Sequence, residues 1–183
     1  MTDSVYYLTG MGGRLDTGLG QALLAKGFDV TGRELVDEFR QLSFNEQVDA
    51  VANDLQSNFW VKDARVIANS FGAYLFLHAQ AKLPPYPGKV ILLYPIVGEF
   101  ANQETEMNFI PPRSDRLLEL AKTGSYPAPL QCEIHVGAKD WQSNPANVEL
   151  FGSLTGLKVT VVTEAGHMLP KDYVSMLLDK WLV

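Results

Sequence analysis

The stretch Ala68-Asn69-Ser70-Phe71-Gly72 decides how this chain folds. It follows the apolar, β-branched run 64–67 and leads into a helical pattern over residues 71–82. A serine flanked by small residues two positions away on each side, between a strand and a helix, is typical of a nucleophile elbow. The turn is so tight that a large side chain at position 68 or 72 would collide with the neighbouring backbone. An ordinary helix N-cap serine is the alternative interpretation.

Two further candidates follow predicted strands later in the chain. The alternating run 132–136 leads into Gly137-Ala138-Lys139-Asp140, which places an acid shortly after the carboxyl end of a strand, where open α/β sheets build their sites. His167 follows the β-branched run 157–162 and precedes Pro170, a predicted first residue of the closing helix. Three predicted strand ends along the chain therefore offer, in order, a serine, an aspartate and a histidine, and the set is more specific than any one of them.

Glu164 is the main rival to Asp140 as the acid that orients His167. It lies only three residues before His167 on a predicted tight loop. Such a short loop would struggle to bring this carboxylate onto a ring nitrogen of the histidine. The sequence therefore favours Asp140.

The chain resembles a small, lidless member of the α/β-hydrolase superfamily, and the resemblance covers essentially its whole length. The order serine, acid, histidine is that of the superfamily, whose motif is Gly-x-Ser-x-Gly; here Ala68 replaces the first glycine. The resemblance implies that Ser70 is the nucleophile, His167 the base and Asp140 the acid that orients the histidine.

The loop after the first predicted strand supplies another match. Residues 5–9 lead into Gly10-Met11-Gly12-Gly13, which resembles the glycine-rich loop that provides one oxyanion-hole amide in this superfamily. The histidine that often opens this loop in relatives is absent, so the donor stays open between Met11 and Gly12. The Phe71 amide is the other expected donor.

Other chemistry-bearing residues are interpreted as structural. His78 lies on the predicted helix after Ser70 among apolar residues, His135 lies inside an apolar strand, and Cys132 is the only cysteine. The spacing of ligands for zinc or calcium is missing, and residues 10–13 lack the lysine of a phosphate-binding P-loop and the spacing of a dinucleotide fingerprint. We expect no metal and no cofactor.

Composition favours a compact enzyme with small-molecule partners. The 183 residues are 46% hydrophobic and carry 15 Lys and Arg against 21 Asp and Glu, a net charge of −6. This balance argues against nucleic acid or an anionic membrane as the main partner. We expect neither a signal peptide nor a membrane span, and hence a cytoplasmic location. The oligomeric state stays open.

Strand and helix patterns alternate along the chain and predict a three-layer αβα fold with a mainly parallel sheet of about six strands, the minimal form of the α/β-hydrolase fold. We expect one domain over residues 1–183. Ser43-Phe44-Asn45-Glu46 predicts a capping box at the start of a helix. The apolar run 89–94 predicts a strand that is covered on both faces of the sheet. Asn144-Pro145 predicts the start of another helix, and residues 174–181 are predicted to form the last helix.

The segment Gly98 to Arg113 has no sustained period and is rich in aromatic residues and prolines. It is either a simple connection or a wall of the acyl pocket. The candidate wall residues are Phe109, Trp141 and Met168, with Met11 and Phe71. Arg14, shortly after Gly10, is a candidate for a substrate carboxylate, with a solvated surface arginine as the alternative.

The leading hypothesis is a serine hydrolase that cleaves small acyl esters or thioesters through an acyl-enzyme, similar to a carboxylesterase or thioesterase. The same triad also supports amidase or peptidase chemistry. A non-catalytic interaction protein that keeps the fold is the third alternative.

Overall fold

The structure, a computed structural model, describes residues 3–102 and 104–182. Within them, six strands form one parallel sheet. These strands are β1 (Ser4–Met11), β2 (Asp29–Leu35), β3 (Arg65–Asn69), β4 (Lys89–Leu93), β7 (Gln131–Gly137) and β8 (Lys158–Val162). Their order across the sheet is β2-β1-β3-β4-β7-β8. The remaining two strands, β5 (Phe100–Asn102) and β6 (Met107–Phe109), pair with each other as a separate antiparallel hairpin.

Helices cover both faces of the sheet. They are α1 (Gly18–Ala25), α2 (Asp37–Gln41), α3 (Phe44–Asn58), α4 (Phe71–Gln80), α5 (Arg116–Lys122), α6 (Pro145–Thr155) and α7 (Lys171–Trp181). Successive strand side chains point to opposite faces. Thus Val66 packs in the cluster that contains residues of α3, α4, α5 and α6, whereas Ile67 packs with α1 and α7. The predicted three-layer α/β architecture with a parallel sheet of six strands is confirmed.

Several predicted helix starts are present. Ser43 Oγ accepts from the Glu46 amide at 3.3 Å, and Glu46 Oε2 accepts from the Ser43 amide at 2.8 Å, which completes the capping box at α3. Asn144 caps α6, whose first residue is Pro145. Pro170 is the N-cap of α7 rather than its first residue, and α7 begins at Lys171 instead of Val174.

The segment between Gly98 and Arg113 is more regular than the sequence predicts. It contains the β5–β6 hairpin, and residue 103 within it lies outside the described part of the chain. Each strand has only three residues, too few to show a period of two. Among the described residues, no helix is long and apolar enough to cross a membrane.

Candidate active site

Ser70 occupies a strained turn between β3 and α4. Its φ is 52° and its ψ is −121°, a conformation that side-chain-bearing residues rarely adopt. The Ser70 amide donates to the Leu93 carbonyl at 3.0 Å, which ties the turn to the end of β4. A Cβ at Gly72 would lie 2.3 Å from the Thr9 carbonyl oxygen, so α4 packs against β1 at a distance that only glycine permits. Ala68 is fully buried.

The end of β1 passes close to this turn. A Cβ at Gly10 would lie 3.3 Å from the Ser70 Cβ. Beyond it, the Gly12 amide donates to the Leu35 carbonyl at 3.0 Å and is therefore already engaged. The Phe71 amide belongs to the first turn of α4, whose N–H groups have no partner within the helix. The first loop and the start of α4 thus flank the serine.

His167 lies between β8 and α7 and reaches over the sheet to Ser70. Its Nε2 is 2.8 Å from Ser70 Oγ. Its Nδ1 is 3.0 Å from both carboxylate oxygens of Asp140. The structure therefore brings the three residues proposed from the sequence into one hydrogen-bonded chain, in the arrangement of a general base between a hydroxyl nucleophile and an orienting acid.

Asp140 is held by its own loop. The carboxylate is buried, with only 1% of the residue exposed, and its Oδ1 accepts from the amides of Gln142 and Ser143 at 3.0 Å each. Such local side-chain-to-backbone bonds are typical of aspartate in turns. These two hydrogen bonds set the orientation of the Asp140 carboxylate independently of His167.

Glu164 is directed elsewhere. It has a φ of 65°, and its exposed carboxylate forms an ion pair with Lys139. The short loop therefore turns this side chain to solvent, and the acid on the His167 ring is Asp140.

Sequence reasoning missed Ser143, which lies beneath the histidine. Its hydroxyl donates to the Tyr94 carbonyl at 2.7 Å and lies 3.5 Å from His167 Nδ1. The spacing Asp-x-x-Ser, an Asx-type turn, is the only local signal for it.

Tyr94 was also missed. It has a φ of 40°, and its ring packs edge-on against the His167 ring with centroids 5.1 Å apart. Its hydroxyl accepts from Asn69 Nδ2 at 3.2 Å, while Asn69 Oδ1 accepts from the Tyr7 hydroxyl at 2.9 Å. Burial raises the pKa of Tyr94, against a smaller lowering by the Asn69 hydrogen bond. A neutral phenol–amide network therefore supports the floor of the site.

The residues suggested as pocket walls fall into different environments. Phe109 and Trp141 both contact the Phe100 ring, with centroids 5.1 and 5.5 Å apart, so the hairpin packs against the loop that carries Asp140. Met11 and Met168 are largely exposed. The Phe71 side chain is buried and packs against Phe44 and Tyr74.

Arg14 is paired with protein carboxylates. Its guanidinium lies 3.2 Å from Asp37 and 3.5 Å from Glu34. The Arg14 side chain is about half exposed, and such ion pairs at the surface are individually weak.

The other two histidines are buried elsewhere. His78 packs edge-on against Phe44 and Tyr74, with centroids 5.0 and 4.4 Å away, and burial lowers its pKa to about 4. His135 Nδ1 lies 2.8 Å from the Tyr173 hydroxyl, and burial lowers its pKa as well. In the described part of the chain, no three His, Cys, Asp or Glu side chains are grouped so that they could hold a metal ion.

Comparison with known proteins extends this description of the fold. No family model matches the sequence, and no curated protein matches it either. Solved structures do resemble it. The ydeN gene product of B. subtilis superimposes with a TM-score of 0.66 at 12% identity, over 97% of this chain and 97% of that one. A monoacylglycerol lipase from Paleococcus ferrophilus superimposes with a TM-score of 0.64 at 13% identity, over 98% of this chain and 93% of that one. A carboxylesterase structure from Nitrososphaera gargenis superimposes with a TM-score of 0.63 at 14% identity, over 97% of this chain and 89% of that one. The chain has the α/β-hydrolase fold.

Proposed function

We propose that this protein is a serine hydrolase that cleaves small acyl esters or thioesters through an acyl-enzyme. The observation that carries the proposal is the hydrogen-bonded chain from Ser70 Oγ through both ring nitrogens of His167 to the Asp140 carboxylate. A serine hydroxyl is a weak nucleophile at neutral pH, and a base within hydrogen-bond reach is what activates it.

The reaction follows from these positions. His167 Nε2 takes the Ser70 proton as Oγ attacks the substrate carbonyl, and Asp140 stabilises the imidazolium through Nδ1–H. The tetrahedral intermediate collapses, the bond to the leaving oxygen or sulfur breaks, and His167 returns its proton to that atom. Water then attacks the acyl-enzyme carbonyl as His167 takes its proton; the bond from the acyl carbon to Ser70 Oγ breaks, His167 returns the proton to Oγ, and the carboxylic acid leaves.

The amides of Phe71 and Met11 are the proposed donors to the oxyanion. Phe71 lies at the start of α4, where free N–H groups and the helix dipole favour negative charge. Gly12 is the weaker of the two first-loop candidates because its amide already donates to Leu35. Loss of one such donor typically costs about 3–4 kcal/mol of transition-state stabilisation.

Two observations support ester chemistry in particular. Among proteins of similar fold, one is named a monoacylglycerol lipase and another is described among carboxylesterases. Met168 directly follows His167, the Tyr94 ring packs against the His167 ring, and Trp141 directly follows Asp140, so apolar side chains adjoin the triad, as is usual in pockets for acyl groups. A small ester or thioester fits these surroundings better than a charged peptide.

Labelling with a fluorophosphonate, followed by peptide mass mapping, tests the proposal. We expect one adduct, at Ser70, and hydrolysis of p-nitrophenyl acetate. Ser70→Ala should abolish both, with a loss on the order of 10⁶ in kcat, and should leave the melting temperature nearly unchanged. Ser153→Ala, at an exposed position of α6, is the matched control and should behave as wild type. Activity of Ser70→Ala near the wild-type level, or an unlabelled protein, would overturn the proposal in favour of a non-catalytic role.

A further inference from the structure

An apolar groove of about 270 Å³ lies between α1 and α7. Its apolar lining includes Leu19, Leu93, Tyr94, Met168, Leu169 and Val174. The polar residues that line it, such as Lys171 and Ser175, are exposed. The volume lies just below the roughly 300–1,000 Å³ found for small-molecule sites. A single unbranched chain fits this size and chemistry better than a branched or charged group.

The groove begins beside the triad. Met168, which directly follows His167, lines the groove with an exposed side chain. Tyr94, which packs edge-on against the His167 ring, lines the groove from the other side. Leu93, a further lining residue, accepts the hydrogen bond from the Ser70 amide. Three lining residues therefore contact or adjoin Ser70 and His167.

The groove and the hairpin lie on opposite faces of the sheet. Phe100, which contacts Phe109 and Trp141, packs against the core shared by α3 to α6. Tyr94 and Leu169 belong to the core under α7. A substrate that lies across Ser70 thus meets two distinct surfaces, one on each side of the nucleophile.

The chemistry decides which part of the substrate faces the groove. On the proposed function, His167 Nε2 must hand its proton to the leaving oxygen or sulfur, so the leaving group lies against the histidine. The residues beside the histidine on this side are Met168 and Tyr94, which lead into the groove. We propose that the α1–α7 groove binds the aliphatic chain of the leaving alcohol or thiol, and that the acyl group lies toward the hairpin.

Two ester series separate the two sides. The first is acetate esters of ethanol to octan-1-ol, and the second is ethyl esters of acetic to octanoic acid. We expect kcat/KM to rise with alcohol length by up to about fourfold per methylene, the full value of burying a CH₂ group. Ser175→Trp places a large side chain in the groove from α7. In this variant kcat/KM should no longer rise with the length of the alcohol, whereas its dependence on the length of the acyl chain should stay as in wild type. Ser153→Trp, on an exposed face of α6, should leave both slopes as in wild type.

Methionine methyl resonances give a readout that does not require catalysis. The chain has five methionines, so ¹³C-methyl labelling yields few signals. Titration of the wild-type protein with octan-1-ol should shift Met168 and leave Met107 on the hairpin and the exposed Met176 on α7 unmoved. The Met168 shift should be lost in Ser175→Trp.

The outcomes also separate this inference from the proposed function. Suppose that Ser70 is labelled and acetate is hydrolysed, but Ser175→Trp leaves the dependence on alcohol length unchanged. This result would overturn the proposed role of the groove and leave the proposed hydrolase activity intact. A Met107 shift in place of Met168, or a Met168 shift that persists in Ser175→Trp, would also overturn it. Without any hydrolysis, the Met168 titration still decides whether the groove binds an alkyl chain.

Discussion

Asp140 illustrates how a buried charge is accommodated next to Ser70 and His167. A carboxylate without partners in the interior is strongly unfavourable, so it must be matched by hydrogen-bond donors. Here the amides of Gln142 and Ser143 and the Nδ1 of His167 surround it. The two amides are fixed by the loop backbone, and the ring is therefore the only partner that can turn. The carboxylate selects the tautomer with the proton on Nδ1, which leaves Nε2 free to accept from Ser70.

Asp140→Asn is expected to preserve the shape of the site and lower kcat by a factor on the order of 10⁴. The new amide can present its N–H groups to Nδ1, which favours the tautomer with the proton on Nε2. That nitrogen could then no longer accept from Ser70. Steady-state hydrolysis of p-nitrophenyl acetate measures the loss, and circular dichroism checks that the fold is retained.

Glu164→Gln is the matched control for this residue. Its side chain is exposed and pairs with Lys139, and exposed ion pairs are worth little, typically about 0–1 kcal/mol. Activity close to wild type is expected. A reversed result, with the larger loss for Glu164→Gln, would make Glu164 the orienting acid and contradict the placement of the loop after β8.

At the scale of elements, β1 and α4 meet through Gly72. A Cβ at this position would lie 2.3 Å from the Thr9 carbonyl oxygen and 2.5 Å from that of Leu8. Both atoms belong to the backbone of a central strand and cannot move independently of the sheet. The first turn of α4, which carries the Phe71 amide, is positioned by this contact.

Gly72→Ala should therefore push α4 away from β1 and destabilise the protein by about 1–3 kcal/mol, as is usual for overpacking. Urea denaturation measures the change. Gly166→Ala is the control for stability, since its added Cβ would meet no heavy atom within 4 Å. An unchanged unfolding midpoint for Gly72→Ala would show that α4 and β1 are less closely packed than the structure has them.

The β5–β6 hairpin is the element expected to contact the acyl group. Phe109 is 37% exposed, although its ring also contacts Phe100. Phe109→Ala should change the discrimination between short and medium acyl chains by about 1–3 kcal/mol for a methylene-scale difference. Ratios of kcat/KM for successive p-nitrophenyl esters from acetate to octanoate, each one methylene longer than the last, measure it.

Reaction with a small fluorophosphonate should be nearly unaffected in Phe109→Ala, since Ser70, His167 and Asp140 lie on other loops. Met107→Ala, at an exposed position of the same strand, is the matched control. A uniform loss of rate for every chain length, together with a lower melting temperature, would show that Phe109 serves only packing.

The sequence predicts those elements whose signals are local. The strand 65–69 is followed directly by Ser70, which lies between the small residues Ala68 and Gly72, and the Ser43–Glu46 pair marks the start of α3. The positions of Ser70, Asp140 and His167 after strands follow from the same patterns. Their catalytic roles stay a prediction.

The parts that the sequence does not predict depend on contacts between distant residues. The hairpin strands are three residues long, and Phe100 packs against Trp141. Tyr94 is positioned by its positive φ and by the hydrogen bond that its hydroxyl accepts from Asn69. Ser143 is positioned by the hydrogen bond that it donates to the Tyr94 carbonyl. None of these contacts leaves a periodic pattern in the sequence.

For the molecule as a whole, the order of the strands assembles the site. Parallel strands place their carboxyl ends at one edge of the sheet. Ser70 follows the central β3, His167 follows the edge strand β8 and Asp140 follows β7 between them. The loop after β8 must cross β7 and β4 to reach the serine, and its next residues descend to α7. The same path that delivers the histidine therefore builds the groove beside it.

Overall stability should fall on mild acidification, and His78 provides a measurable part of this effect. Its pKa in the folded protein is lowered to about 4, mainly by burial and further by Arg113 and Arg116, against about 6.5 in an unfolded chain. Between these two values the unfolded chain binds more protons, so the free energy of unfolding decreases as the pH falls.

The contribution of His78 to the free energy of unfolding should be fully present above pH 6.5. It should be lost progressively as the pH falls toward 4, to a total on the order of 3 kcal/mol. His78→Gln stays neutral throughout, so its free energy of unfolding should fall less steeply across this range than that of wild type. Urea denaturation at intervals from pH 4 to pH 8 measures both curves. The difference between their slopes isolates His78, because the carboxylates and His135, whose pKa is also lowered by burial, titrate in both proteins. Parallel curves would show that the folded protein accepts a proton at His78 as readily as the unfolded chain does, which a ring buried between Phe44 and Tyr74 should prevent.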